Sequence, residues 1–237
     1  MRRVYDRGMS DLTRRELFAA AIGLTAYPLL AAAPKICTLT CAQTLGPCYY
    51  DGTLVRHDIT EGKAGLPTLL SFLVVNADTC LPIENASIDI WHTDADGVYS
   101  APINTMCNST DLSARSMLFC RGVQFTGADG RAHFNTIYPG WYSGRTTHIH
   151  ATIRVNGTEM VTTQFYFDDV LSNSIYKNHA SYSRRPVKDT TNVSDSVIGG
   201  SSARVIPFLF DTKLILGKSL VARKVIAIRS ARTTCAA

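Results

Sequence analysis

Long runs of lysine and arginine are missing from this chain, and charged residues make up only 18% of its 237 positions. Five arginines against three acidic residues in 1–33 supply two of the net +5 charges, so the rest carries only +3. That balance describes a mildly basic solvated surface and excludes a nucleic-acid footprint. No Gly-rich strand-to-helix loop of the dinucleotide-binding kind is present, which argues against a nicotinamide cofactor held that way. Internal repeats and low-complexity linkers are also absent, and helical periodicity is almost so. The length therefore suits one β-sandwich or barrel domain, or two small domains.

No apolar stretch reaches the ~20 residues that a membrane-spanning helix needs. The longest uncharged run, Leu17 to Ala33, is interrupted by Pro28 and ends in three alanines that resemble an A-x-A cleavage site. Paired arginines, Arg14 and Arg15, precede it as in a twin-arginine leader, although Leu17 and Phe18 follow Glu16 in the reverse of the usual order. The expectation is an export signal over residues 1–33 and a single domain over 34–237. An uncleaved anchor or an amphipathic start is the alternative reading of 1–33.

The seven cysteines all follow this segment. In an exported chain they read as disulfides with one thiol left over. Cys107 and Cys120 bracket a polar loop that a bridge would staple, so they are the preferred pair. A metal cluster at "CTLTC" lacks a second cysteine or histidine pair nearby.

Strand signals dominate from residue 66 onward. "LPTLLSFLVVNAD" (66–78) is an apolar run consistent with a strand buried on both faces. "ASIDIWHT" (86–93) alternates, with Ile88 and Ile90 on one side and Asp89 and Trp91 on the other. Asp129-Gly130 predicts a hairpin within 121–140, and Asn156-Gly157 predicts a second within 147–167. Residues 170–205 read as loop with one short helix near 168–178, and "VIPFLFDTKLILG" and "LVARKVIAIRS" read as closing strands. The fold class expected is all-β: a sandwich of mixed strands with long loops around a metal site.

Chemistry concentrates in "YPGWYSGRTTHIH" (138–150). On a strand, His148 and His150 point to one face while Ile149 turns into the core. Two histidines on a solvent face are the plain alternative. Tyr142 lies just past a turn, and Tyr99 closes "WHTDADGVYS", where a strand runs into an Asp/Gly turn. Imidazole suits first-row transition metals, and anionic oxygen donors suit a hard, highly charged ion. A free phenol has a pKa near 10, so ionising two of them requires a cation beside them. The set favours Fe(III) over Fe(II), Zn(II) or Cu(II).

"IDIWHTDADGVYS" with "FCRGVQFTGADGRAHFNTIYPGWYSGRTTHIHATI" resembles the intradiol ring-cleavage dioxygenases, the catechol and protocatechuate 3,4-dioxygenase family, in its exported branch. The likeness runs from about Gly46 to about Asn192. It implies a non-haem Fe(III) centre with Tyr99, Tyr142, His148 and His150 as ligands. The implied reaction cleaves a catechol-type diol between its hydroxyl carbons with dioxygen, giving a cis,cis-muconate-type dicarboxylate. Tyr142 is implied as the ligand that a substrate displaces and that takes up a proton. Arg145 matches a pocket arginine favouring the ketonised substrate anion, with a surface ion pair as the alternative. Gln164 matches a glutamine near the oxygen site, with a strand hydrogen bond as the alternative. His92 reads as structural, and Tyr49 and Tyr50 lie where the family's N-terminal segment meets the pocket. The implied partners are a small aromatic diol and dioxygen, with no nucleic acid, no stable membrane span, and either a monomer or a homo-oligomer.

One departure from the branch is Thr93, where its members often carry cysteine, so that Cys107 and Cys120 stand as the replacement bridge. The competing hypothesis is a β-sandwich binding module for carbohydrate or a cell surface that kept the fold without turnover. Colour separates them, because tyrosinate on Fe(III) is red-brown. A zinc or copper hydrolase using His148 and His150 ranks last, for want of a placed carboxylate base.

Overall fold

The alternating and apolar runs become eight strands in a computed structural model that describes residues 37–229 and Cys235. The strands are β1 (Pro67–Asn76), β2 (Ala86–Trp91), β3 (Arg121–Phe125) and β4 (Arg131–Ile137), then β5 (His148–Val155), β6 (Thr158–Tyr166), β7 (Asp211–Ile215) and β8 (Ser219–Ile228). One sheet has the order β4-β1-β8-β7 and the other β3-β2-β5-β6. β1 and β8 run parallel while every other pairing is antiparallel, so the sandwich is mixed as expected. The expected export segment, 1–33, lies outside the described residues. No helix among the described residues is long and apolar enough to cross a membrane.

Period-two alternation places Leu70, Phe72 and Val74 of β1 against Ile88 and Ile90 of β2 and Ile149 and Ile153 of β5, all fully buried in one core cluster. The opposite face of β2 and β5 is buried as well, because the chain N-terminal to β1 covers it. This strap joins the edge of β6 through the Gln43 amide, which donates to the Thr162 carbonyl (2.8 Å). It then crosses the sheet to bridge β3 at Val55–Val123. The covered face carries Trp91, His148, His150 and Gln164.

The helix expected near 168–178 is α1 (Asp169–Asn178), capped by the Asp168 carboxylate, which accepts from the Val170 and Leu171 amides. "VIPFLF" departs from the expected strand. Ser202–Val205 is helical (α2) and Ile206–Phe208 a 3₁₀ turn, since Pro207 has no N–H to give a ladder.

Two further expectations are corrected. The Asp129-Gly130 turn does not close a hairpin: β3 pairs with β2 and β4 with β1, so the turn carries the chain between sheets. The Val74 amide donates to the Gly130 carbonyl (2.8 Å), so β1 captures the chain as it leaves the turn. A side chain at Gly130 would lie 2.7 Å from the Val74 carbonyl, which leaves room only for glycine. Nor do Cys107 and Cys120 pair. The bridges are Cys37–Cys80, Cys41–Cys235 and Cys48–Cys107. Cys120 is a buried thiol packed among Val98, Ala114, Phe119 and Ile137. Its amide is tied to the Ile59 carbonyl and its own carbonyl to the His92 amide. Cys107 bridges instead to the strap.

Candidate metal centre

Two glycine-bearing turns bring the tyrosines together. In "DADGVY" the Asp94 carboxylate accepts from the Asp96 and Val98 amides. Gly97, at φ +81°, approaches so closely that a Cβ would lie 2.2 Å from the Trp141 carbonyl. In "YPGWY" the Gly140 amide donates to the Asp94 carbonyl (2.9 Å), and a Cβ there would lie 2.4 Å from the Ala95 carbonyl. Larger residues at either position would separate the turns, and with them Tyr99 from Tyr142. The two phenol rings meet edge-on at 5.8 Å.

β5 begins at His148, so His148 and His150 share the covered face while Ile149 enters the core. The His148 Nδ1–H donates to the Thr146 carbonyl (2.6 Å), which leaves Nε2 with its lone pair. Three groups converge on that lone pair: Tyr99 Oη at 3.2 Å, Tyr142 Oη at 3.3 Å and His150 Nε2 at 3.2 Å. One lone pair cannot accept from all three. Donors sharing a first-row cation at ~2.0–2.1 Å stand about 3 Å apart, so the set fits a metal ion better than a hydrogen-bond network. Among the described residues, no group of three or more His, Cys, Asp or Glu is placed to hold a metal. The two-phenol, two-imidazole set is thus the candidate centre.

Electrostatics agree with the donor chemistry. Burial, reinforced by the Arg145 charge, lowers His148 to about 3. Burial and the neighbouring His148 depress His150 well below its ordinary value, so both rings offer neutral lone pairs. Burial and the mutual proximity of the phenols push Tyr99 well up, and burial also raises Tyr142. Ionising either phenol therefore calls for a strong local positive charge, and a trivalent ion supplies one.

Arg145 and Gln164 join around this core. Arg145 Nε donates to the Asp195 carboxylate (2.9 Å) and Nη2 to Gln164 Oε1 (2.5 Å). The ion pair offered as the alternative for Arg145 does exist, but its carboxylate is fully buried and it adjoins the centre. Gln164, opposite His150 on β6, also accepts from the Tyr166 hydroxyl (3.1 Å) and donates to the Thr44 carbonyl (2.9 Å). His92 sits fully buried between the Thr93 carbonyl and the Thr136 hydroxyl, away from the donors. Tyr49 packs edge-on against Trp91.

Four contributors escaped sequence reasoning. Trp91, opposite His150 on β2, stacks on its ring at 4.8 Å. Arg121 is fully buried over the Tyr99 ring and donates to the Ser100 and Cys48 carbonyls. Asp195 anchors Arg145. Gly46, at φ +76°, lies where a Cβ would stand 3.2 Å from His150 Cε1. The only advance signals were Trp91 sharing the His150 face by strand parity and the glycine itself. Gly46→Ala is expected to cost ~1–2 kcal/mol through the left-handed backbone alone, lowering Tm by about 2–8 °C in a thermal melt. Its methyl group should also press on the His150 ring and weaken metal retention during dialysis against a chelator.

Beside the centre, burial raises Asp89 to about 6 despite hydrogen bonding from Tyr49 and the charge of Arg154. The folded chain thus holds this proton more tightly than an unfolded chain with an ordinary value of 3.8. The resulting stabilisation is complete below about pH 4 and is lost as pH rises through about 6. The gap is worth about 3 kcal/mol. Asp89→Asn should therefore be more stable than wild type at pH 7, with a flatter Tm profile between pH 4 and 6. Equal melting curves at pH 7 would refute this.

Comparison with known proteins adds a family context. A family model described as "Dioxygenase" matches residues 44–197. Chlorocatechol 1,2-dioxygenase of Cupriavidus pinatubonensis is 29% identical, with 52% of each chain covered. Catechol 1,2-dioxygenase 1 of Acinetobacter lwoffii is 26% identical, covering 51% of this chain and 43% of its own. The chain thus spans about half the length of the curated relatives it matches. Among solved structures, the intradiol ring-cleavage dioxygenase from Tetranychus urticae superposes with a TM-score of 0.72 at 26% identity, covering 83% of this chain and 98% of that one. The dioxygenase domain of a dioxygenase–carbohydrate-binding fusion from Streptomyces sp. SirexAA-E gives 0.57 at 25% identity, covering 82% and 100%.

Proposed function

The chain belongs to the intradiol ring-cleavage dioxygenase family, and from that premise we propose that it is an exported non-haem Fe(III) enzyme. It uses dioxygen to open a catechol-type diol between its hydroxyl carbons, yielding a cis,cis-muconate-type dicarboxylate. The observation that carries this reading is the convergence of Tyr99, Tyr142 and His150 on the single Nε2 lone pair of His148.

Tyr99, Tyr142, His148 and His150 would hold the ion. Bound there, Fe(III) would supply Lewis-acid polarisation of the diol and a template for its two oxygens. The chain's own residues do the rest. Thr146 fixes the His148 tautomer, and Trp91 braces the His150 ring. Tyr99, almost fully buried, is the fixed phenolate, whereas Tyr142 is partly exposed and free to take a proton from an incoming diol at its Oη. Arg145, positioned beside Tyr142, offers a permanent charge to the substrate anion. Three disulfides support export to an oxidising compartment, with residues 1–33 as the signal.

The test is iron analysis of the purified protein together with oxygen-electrode assays on catechol, protocatechuate, hydroxyquinol and caffeate. The reading expects about one iron per chain, a red-brown colour and oxygen uptake with at least one diol. A colourless protein that stays metal-free after Fe(III) loading would refute it.

A further inference from the structure

We propose that Asp195 is a positioning residue for this centre: it orients Arg145 and, through Arg145 and Gln164, holds the strap at 43–46 against His150. The proposal rests on the dioxygenase reading for its kinetic consequences but not for its structural ones. Asp195 lies in a loop rich in Ser, Thr and Asn, yet its side chain is fully buried. Both carboxylate oxygens are engaged. Oδ2 accepts from Arg145 Nε (2.9 Å) and the Thr146 amide (2.8 Å), and Oδ1 from the Val197 and Ile198 amides (2.8 and 3.2 Å). The carboxylate is clamped by its own loop, and it clamps the two residues that lead into β5.

From there the contacts continue as a relay. Arg145 Nη2 donates to Gln164 Oε1, and Gln164 Nε2 donates to the Thr44 carbonyl. Two residues on, Gly46 rests against the His150 ring. The Gln164 amide is occupied at both ends, since its oxygen also accepts from Tyr166. In this chain Gln164 therefore ties Arg145 to the strap. Asp195 also balances the Arg145 charge, so losing the carboxylate would leave a partly buried guanidinium without its counter-charge beside the donors. A residue that merely stiffened its own loop would not need to touch Arg145.

The test compares Asp195→Asn and Asp195→Glu with wild type in three measurements. Hydrogen exchange at the Gln43 amide, read on metal-free protein, reports strap attachment. Turnover per bound iron, split into kcat and KM, and the tyrosinate-to-iron absorption band report Arg145. Asp195→Asn is expected to exchange Gln43 several-fold faster, to lower kcat per iron about 10- to 100-fold with a smaller change in KM, and to shift the band. Asp195→Glu, which keeps the charge, is expected to recover part of each. Exchange and kcat per iron both within twofold of wild type in Asp195→Asn would overturn the proposal. Should that variant not fold, Arg145→Lys keeps the charge but has no second nitrogen for Gln164. It should release the strap equally, and unchanged Gln43 exchange there would overturn the proposal too. A metal-free, inactive wild type would count against the dioxygenase reading alone, because the exchange measurement needs neither iron nor turnover.

Discussion

His148→Ala is expected to yield a folded protein that retains no iron and takes up no oxygen with any catechol. His148 Nε2 is the atom on which the other three donors converge. Removing it leaves two phenols and one imidazole with no shared focus. The Thr146 carbonyl loses its partner, and one of the two phenol hydroxyls loses the imidazole lone pair. Each buried polar group left unpaired costs ~1–3 kcal/mol, so Tm should fall by several degrees while the fold persists. Tyr142→Phe provides the contrast: three donors survive, so part of the iron should stay and substrate deprotonation should slow. Elemental analysis, visible absorbance and an oxygen electrode read all of this, and oxygen uptake retained by His148→Ala would remove His148 from the ligand set.

Much of this structure is legible in local periodicity. Strand parity alone puts Ile149 inward and His148 and His150 together, because alternate side chains must leave opposite faces. Asn156, at φ +51°, and Gly157, at φ +77°, adopt the left-handed conformations of a tight hairpin turn, and β5 and β6 pair around them as expected. Asp168 marks the start of α1 by a short-range cap. Neighbour choice was not legible in this way. Nothing local distinguishes a turn that closes a hairpin from one that changes sheets, and Asp129-Gly130 does the latter because β1 lies waiting at Gly130. The parallel pairing of β1 with β8 is equally non-local. The same limit hid the supporting residues of the centre. Trp91 has the right parity, but its stacking on His150 depends on β2 and β5 being neighbours. Asp195 carries no local signal at all, since only the folding of its loop onto β5 brings it to Arg145.

Removing the Cys48–Cys107 bridge should damage both stability and the centre, and by more than its loop closure alone. Cys48→Ser with Cys107→Ser is expected to cost about 2–5 kcal/mol, which is a large share of the 5–15 kcal/mol that typically holds a domain folded. The reason for a functional effect is that both ends of the bridge support Tyr99. The Cys107 carbonyl accepts from the Tyr99 amide (3.0 Å). The Cys48 carbonyl accepts from Arg121 (2.8 Å), whose guanidinium stands over the Tyr99 ring. The two sulfurs themselves pack in one buried cluster with Trp91 and Tyr99. Cutting the bridge frees the strap from the loop between Tyr99 and Arg121, and the phenol loses support on two sides. The double variant should therefore bind Fe(III) more weakly and lose its colour faster to a chelator than wild type at the same temperature. The Cys37–Cys80 bridge makes the control, because Cys37 packs in a separate cluster with Val75, Ala77 and Ala227, away from the donors. Its removal should lower Tm without accelerating iron loss below the melting range. Equal chelator sensitivity in the two double variants would show that disulfides here act on global stability alone and that Tyr99 needs no such support.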